Sequence, residues 1–506
     1  VQMLFGAFAE ILTTNLFFYS LLGVVAGIVV GALPGLSATM AVAILTPLTF
    51  WLEPAQGMAV LLGVYNSAIW AGGITAILIN TPGTPASIAQ TFDGYHFVKN
   101  GKIGLALSVN TIYSVVGGLF GSLVLTIAAF PVARFALRFG PPEMFALALF
   151  GLTMMISVSG TKLINGLFAG FLGLLISTIG LDPMHGMPRF TFGNVNLLSG
   201  IPFVVALVGM FGVGEVLYQL SERRARNRSF AGDADTSGII KNLGRWLPTR
   251  EELRESNLAV FLSCVISTII GAIPGAGGDI ASIVCWQQAK QMSKKPEEFG
   301  KGSYTGLAVA SLANNGVIGG AMTTMMTLGI PGDGVTAILI GSLMMYGMQP
   351  GPRLFVEQAP FVYRIMALMF VGYLMILVLG MLTARASAVI LKLKQEYVWL
   401  AVIGFCILGS FAINNSVFDV IVMFIAGLVG FIFKKADIPL GPFILALLLG
   451  PIAESNYRRS LALSQGDMSI FFTRPITVVL LVLAILSLVW QPVRDLMKRR
   501  REAKAA

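Results

Sequence analysis

Residues 31–40 read GALPGLSATM, and residues 271–280 read GAIPGAGGDI. Each stretch follows an apolar run and carries Gly-Ala-x-Pro-Gly. Proline has no N–H to donate and clashes with the preceding helical turn. Glycine admits backbone conformations that other residues avoid. The pentapeptide therefore ends a helix beside a hydrophobic segment, and the chain does this twice. Further echoes follow in the same order. Asn66 precedes TPGTPA at 81–86, and Asn315 precedes IPGDGV at 330–335. AGFLG at 169–173 matches AGLVG at 426–430, and PFVVALVG at 202–209 resembles PFILALLLG at 442–450. The first echo has an offset of 240 and the second of 249, so the second copy gains nine residues in between. Chance similarity among Gly- and Ala-rich helices is the competing explanation. The kept order argues instead for two homologous halves.

The chain is 56% hydrophobic and only 11% charged, against about 25% charged in an average soluble domain. Apolar runs recur at 16–33, 104–130, 164–180, 258–273, 365–383 and 475–490. Each is long enough to cross a hydrocarbon core of about 30 Å as a helix. The runs are continuous rather than alternating, which argues against a β-barrel. The expected fold is an all-α polytopic membrane protein. It has two inverted-topology repeats with broken helices or re-entrant hairpins, plus a C-terminal helix. The expected divisions are a first membrane repeat at 1–220, a cytoplasmic basic linker at 221–256, a second, inverted repeat at 257–473, and an extra transmembrane helix with a basic cytoplasmic tail at 474–506.

Charge sets the orientation. The linker carries Arg223, Arg224, Arg226, Arg228, Lys241, Arg245, Arg250 and Arg254, and the positive-inside rule places it in the cytoplasm. The tail carries Arg494, Lys498, Arg499, Arg500, Arg501 and Lys504 and belongs there too. One apolar span separates that tail from the loop at 453–473, which is then periplasmic although it holds Arg458 and Arg459. Repeat-equivalent loops on opposite faces mean inverted halves, a transporter signature. No Lys or Arg precedes Lys99, so residue 1 is expected outside. The N-terminus has no basic region typical of a cleaved signal.

The net charge of +10 is loop charge of this kind, and nucleic acid is not an expected partner. Three cysteines, Cys264, Cys285 and Cys406, and two histidines, His96 and His185, suggest neither a disulfide framework nor a metal site. No enzyme motif is present, and the linker is too short for a nucleotide-binding domain. No catalytic residue and no organic cofactor is expected. An intramembrane enzyme, a receptor or scaffold, and a passive anion pore are the rival classes. The first would need clustered acids or histidines, and the second would not need two sets of broken helices.

A helix broken within the membrane leaves backbone groups that cost several kcal/mol each unless something satisfies them. The next helix start offers N–H groups and the positive end of its dipole, which can hold an anion without a buried Lys or Arg. The candidate substrate-binding residues are therefore those at the breaks: Pro34, Gly35, Ser37 and Thr39; Asn66 and Ser67; Pro82, Gly83 and Thr84; Gly275, Gly277 and Gly278; Asn314 and Asn315; Pro331 and Gly332. The alternative is that Gly and Pro only permit close packing and kinks. Asp279 and Asp333 occupy positions where the first half has Thr39 and Thr84. Acids at membrane depth are costly and usually functional, so both are candidates for ion coupling, to Na⁺ or H⁺. The competing role is helix capping.

The segments GALPGLSATMAVAILTPLTF, NTPGTPASIAQTFDGY, GAIPGAGGDIASIVCW and GIPGDGVTAILIGSLMMYGMQPGP resemble the large membrane subunit of bacterial tripartite tricarboxylate transporters, the TctA family. The resemblance spans essentially the whole chain. It implies a multi-pass secondary-active importer of the bacterial inner membrane. It also implies a small membrane subunit of about four transmembrane helices, a periplasmic solute-binding protein, and carboxylate substrates such as citrate. The resemblance implies coupling to H⁺ or Na⁺. By analogy with other transporters having paired helix breaks, an elevator-like mechanism is expected, with 104–130, 361–383 and the C-terminal helix in the scaffold.

Overall fold

The computed structural model describes residues 2–33, 36–158, 163–182, 184–226, 244–383 and 395–489. The expectations for Pro34, Gly35, Arg228, Lys241 and the tail from Arg494 to Lys504 lie outside the described residues. The chain is helical: α1 (Gln2–Thr13), α2 (Leu16–Gly31), α3 (Ala38–Thr49), α4 (Pro54–Ile79), α5 (Ile88–Lys99), α6 (Ile103–Ala136), α7 (Pro141–Val158), α8 (Leu163–Ser177), α9 (Phe203–Leu207), α10 (Gly214–Arg226), α11 (Arg250–Ala272), α12 (Gly277–Met292), α13 (Tyr304–Leu328), α14 (Gly334–Met345), α15 (Leu354–Glu357) and α16 (Ala359–Thr383). Then come α17 (Gln395–Asn414), α18 (Val417–Lys435), α19 (Leu440–Leu463), α20 (Ile470–Thr473) and α21 (Pro475–Val489). Strand pairing among the described residues is confined to Gly180–Leu181 against Pro188–Arg189. Among the described residues, seven helices are long and apolar enough to cross a membrane. One of them runs from α9 through a π-helical stretch, Val208–Val213, into α10. The protein is an all-α polytopic membrane protein.

Two helices organise the core. Every residue of α4 from Gly57 to Leu78 is buried, as is α13 from Gly306 to Thr327 apart from Thr324. Small residues let a partner helix lie against each. Gly23, Gly27 and Gly31 of α2 meet Val60, Val64 and Ala68 of α4, stepping together one turn at a time, so α2 and α4 are parallel. The end of α3 returns to the start of α4, where Thr49 sits beside Gly57. The α2–α3 pair is therefore a re-entrant hairpin rather than a crossing. The second half repeats this. Ser267 and Gly271 of α11 lie against Gly316 and Val317 of α13, and Trp286 of α12 returns to Gly306 at the start of α13.

The two buried helices run in opposite directions. Tyr346, just after α14, donates to the Thr49 carbonyl at 2.6 Å near the start of α4, while Gly351 donates to Met326 near the end of α13 at 2.9 Å. At the other face, Asp93 of α5 accepts from Ser303 N at 2.8 Å, the residue that caps the start of α13. Gly94 beside it packs on Ile77, at the end of α4. Helices α6 and α16 flank the pair. Ser114 donates to Ser311 O at 3.0 Å, and Gly121 of α6 meets Gly319 of α13 main chain to main chain.

The last helices of the halves are exchanged. Gly173 of α8 packs on the Phe443 carbonyl of α19, while Gly209 of the π-helical stretch packs on Met423 of α18. AGFLG thus lies on PFILALLLG and AGLVG on PFVVALVG, each against the other half. On the face away from the linker, Arg458 is bonded to Asp182 at 2.9 Å and Glu454 at 2.8 Å. Arg189 pairs with Glu454 at 2.6 Å. Backbone N–H groups of His185 and Met184 hold the Asp182 carboxyl below its ordinary value. Of the two arginines that strain the positive-inside rule, Arg458 is thus partnered by acids.

The Gly121–Gly319 contact leaves no room for a methyl group, whereas Gly404 of α17 has nothing within 4 Å of such a group. Overpacking at a rigid contact costs about 1–3 kcal/mol. Gly319→Ala is expected to lower the melting temperature of the purified protein in detergent. Gly404→Ala is expected to leave it unchanged or raise it slightly, because alanine favours helix.

Candidate transport site

The four helix breaks meet. Within the first half, a methyl on Gly83 would strike the Gly31 carbonyl at 2.6 Å and Gly72 Cα at 2.7 Å. Within the second, a methyl on Gly332 would strike the Gly271 carbonyl at 2.5 Å and Ala321 Cα at 2.6 Å. Positions 83 and 332, and 72 and 321, are related by the offset of 249. Gly83 N donates to Gly72 O at 3.1 Å, and Gly275 N to Gly332 O at 2.8 Å. One break thereby bonds to the buried helix α4 and another to its partner break, as backbone at membrane depth requires.

Both long helices stop in the same way. Asn80 ends α4 with φ 54°, and Gly329 ends α13 with φ 70°. These are left-handed caps at equivalent positions. Pro82-Gly83 and Pro331-Gly332 follow, and the chain returns toward Gly72 and Ala321. A new helix then starts on Thr84 in one half and Asp333 in the other, each paired with a hydroxyl three residues on. Thr84 N donates to Ser87 Oγ at 3.3 Å, and Asp333 N donates to Thr336 Oγ1 at 2.9 Å.

The halves also touch across the site. Gly278, in the first turn of α12, lies against Ala86 beyond the first-half tip, and Gly334 beyond the second-half tip lies against Thr39 of α3. Phe211 of the π-helical stretch closes on Gly334. Ser37 caps α3 by accepting from Met40 N at 3.1 Å. Ser37, Thr39, Pro82 and Gly275 are half-buried; Gly83, Gly277, Gly278, Pro331 and Gly332 are buried. Ser67 sits apart in role. Its hydroxyl donates to Gly63 O at 2.7 Å against the α2 contact, which uses it for packing.

The two acids differ. Asp333 caps α14: it accepts from Thr336 N at 2.8 Å, Thr336 Oγ1 at 2.7 Å and Tyr65 OH at 2.5 Å. Its oxygens are committed to the fold. Asp279, in the first turn of α12, is exposed.

Asn66, Asn314 and Asn315 are fully buried. Asn66 reaches only Met369 Sδ at 3.7 Å, Asn314 donates to Ile69 O at 3.2 Å, and neither polar atom of the Asn315 side chain has a partner. Several participants escaped the sequence reading. Tyr65 adjoins Asn66, and Gln90 and Asp93 lie within NTPGTPASIAQTFDGY; adjacency to motif residues was their only signal. Asn110 and Ser311 carried none. Asp93 is buried and accepts from Trp286 Nε1 at 2.7 Å and from Gly300, Gly302 and Ser303 N.

The arrangement is that of a transporter with paired helix breaks. The model of the tripartite tricarboxylate transporter TctA family matches residues 17–445, and the chain belongs to that family. It is 35% identical over 463 residues to an uncharacterized 52.8 kDa protein in the TAR-I ttuC' 3' region of Agrobacterium vitis, covering 92% of this chain and 90% of that protein. A second protein of Agrobacterium vitis, from the TAR-II ttuC' 3' region, is 31% identical over 222 residues, 44% of this chain and 92% of its own length. No solved structure matches the chain.

Removing an N-cap costs about 0.5–2 kcal/mol, and a buried hydroxyl left unpaired costs about 1–3 kcal/mol. Asp333→Ala does both, the second through Tyr65. It is expected to lower the melting temperature clearly, while Asp279→Asn leaves it unchanged; differential scanning fluorimetry checks both.

Proposed function

We propose that this chain is the large permease subunit of a solute-binding-protein-dependent importer of the bacterial inner membrane, taking up a di- or tricarboxylate on a Na⁺ or H⁺ gradient. The observation that carries this reading is the meeting of four helix breaks between two antiparallel buried helices. There the starts of α3, α5, α12 and α14 offer N–H groups and dipole ends to an anion. Ser37, Thr39, Thr84, Gly277 and Gly278 would bind and orient the carboxylates. Asn66, Asn314 and Asn315 would act from the buried side. A small membrane subunit and a periplasmic solute-binding protein complete the assembly on this reading.

The paired caps, tips and re-entrant hairpins support two inverted repeats, and the reversed directions of α4 and α13 support inversion. An elevator-like movement fits this organisation: the hairpins and tips travel as a block against a scaffold containing α6, α16 and α21. Cysteines joining the tip at Thr81 to α6 are expected to crosslink at two depths; one depth in every condition overturns the elevator.

The transport reading is tested in proteoliposomes holding both membrane subunits and the binding protein loaded with radiolabelled citrate. Uptake is expected under an imposed Na⁺ or proton gradient and to stop when both are collapsed. Undiminished uptake after collapse would make the chain a passive pore.

A further inference from the structure

Two helix starts from opposite halves face each other where Gly334 opens α14 and Thr39 lies in the first turn of α3. A side chain built on Gly334 would begin 3.2 Å from Thr39 Cγ2, 3.3 Å from Thr39 Oγ1 and 3.8 Å from Phe211 Cζ. A hydroxyl, an aromatic ring and two helix starts therefore converge on one point. Thr39, Phe211 and Gly334 are all half-buried, so the crevice they share is close-walled but not sealed.

The ring comes from the π-helical stretch Val208–Val213. A π turn is rare, and within an α-helix it frequently marks a functional site. This one is seated through its glycines. A methyl on Gly209 would strike the Met423 carbonyl of α18, and one on Gly212 would stand 2.5 Å from Cys406 Sγ of α17. Phe211, between them in the chain, reaches α14 instead. The shared frame of the two halves does not demand this. The echo PFILALLLG lies within α19 and runs on as Pro451-Ile452-Ala453, with no ring at the matching place.

Phe211 approaches the crevice with Cζ leading, edge first. The edge is the positive part of an aromatic quadrupole and the faces are negative, so an edge-on ring suits a carboxylate oxygen. Its apolar body also keeps water away from the helix starts, and a hydrogen bond to an N–H group is stronger where the local dielectric is low. The Asp333 carboxylate beside Gly334 is engaged by three donors, Tyr65 OH, Thr336 N and Thr336 Oγ1, which offset its charge.

We propose that Phe211 is a substrate-contacting, specificity-determining residue: its ring edge packs against a carboxylate seated between Thr39 of α3 and Gly334 of α14. The proposal deepens the transport reading by adding an aromatic wall to its site, and it rests on that reading. It also makes the two halves unequal partners in recognition. The first half supplies the hydroxyl and the ring, and the second supplies a bare glycine helix start.

The test uses thiol protection in the purified full-length chain. Cys264, Cys285 and Cys406 are buried, so Phe211→Cys and Thr39→Cys each present one accessible thiol. Alkylation by N-ethylmaleimide is followed by mass spectrometry with citrate or succinate added. Either acid is expected to slow alkylation at both positions at least fivefold, with the same midpoint concentration. Protection at Thr39→Cys but not at Phe211→Cys overturns the role of the ring and leaves the transport reading standing. No protection at either position by either acid overturns both. A second measurement isolates the ring. Phe211→Leu keeps apolar bulk but has no aromatic edge. In proteoliposomes with saturating citrate-loaded binding protein it is expected to lower uptake at least tenfold while the melting temperature is kept. Uptake equal to that of the unaltered chain removes the ring alone. Absence of uptake by the unaltered chain under either gradient overturns the transport reading and the proposal with it.

Discussion

Main-chain groups inside a bilayer must find partners within the protein, and a chain that breaks its helices at depth has to supply them locally. Here glycine does so by allowing backbone to meet backbone. Gly83 admits the Gly31 carbonyl and Gly332 the Gly271 carbonyl, and two amides at the breaks, Gly83 and Gly275, reach carbonyls of their own half, Gly72 and Gly332. Larger residues at these points would hold the tips away and strand those groups. The length and burial of α4 and α13 follow from the same need. Each is a long buried helix with its main-chain hydrogen bonds made internally, and the irregular backbone is assembled against it.

This constraint explains why the glycine and proline echoes were readable from sequence. Their physical role is local: a left-handed end at Asn80 or Gly329, two or three residues of return, then a cap at Thr84 or Asp333. Such signals survive in a one-dimensional string. The long apolar runs were equally plain, because hydropathy is summed along the chain. The return of α3 and α12 to their starting face was less so. Break-and-continue and break-and-return share the same residues, and only the Thr49–Gly57 and Trp286–Gly306 contacts distinguish them.

What stayed hidden is what depends on distance in the sequence. Tyr65 bonds to Asp333, Gln90 to Ser311 and Trp286 to Asp93, and no periodicity marks either partner. The exchange of terminal helices is of this kind too. Gly173 and Gly209 stood out only as members of the echoes, yet each admits a carbonyl from the opposite half. Neither half can bury the surfaces of its last helices alone, so the halves are joined by packing as well as by the linker. The cross-half bonds of Asp93 add a polar join at the linker face.

The two tips carry unequal chemistry. At equivalent positions, Asp333 has its oxygens engaged by Tyr65 and Thr336, whereas Thr84 is tied through its backbone N–H to Ser87 Oγ. The same turn of backbone is thus closed by a carboxylate with three donors in one half and by a hydroxyl pair in the other. A buried carboxylate holds only while its donors stay in place, so the Asp333 tip depends on Tyr65 of α4 in a way the Thr84 tip does not depend on α13.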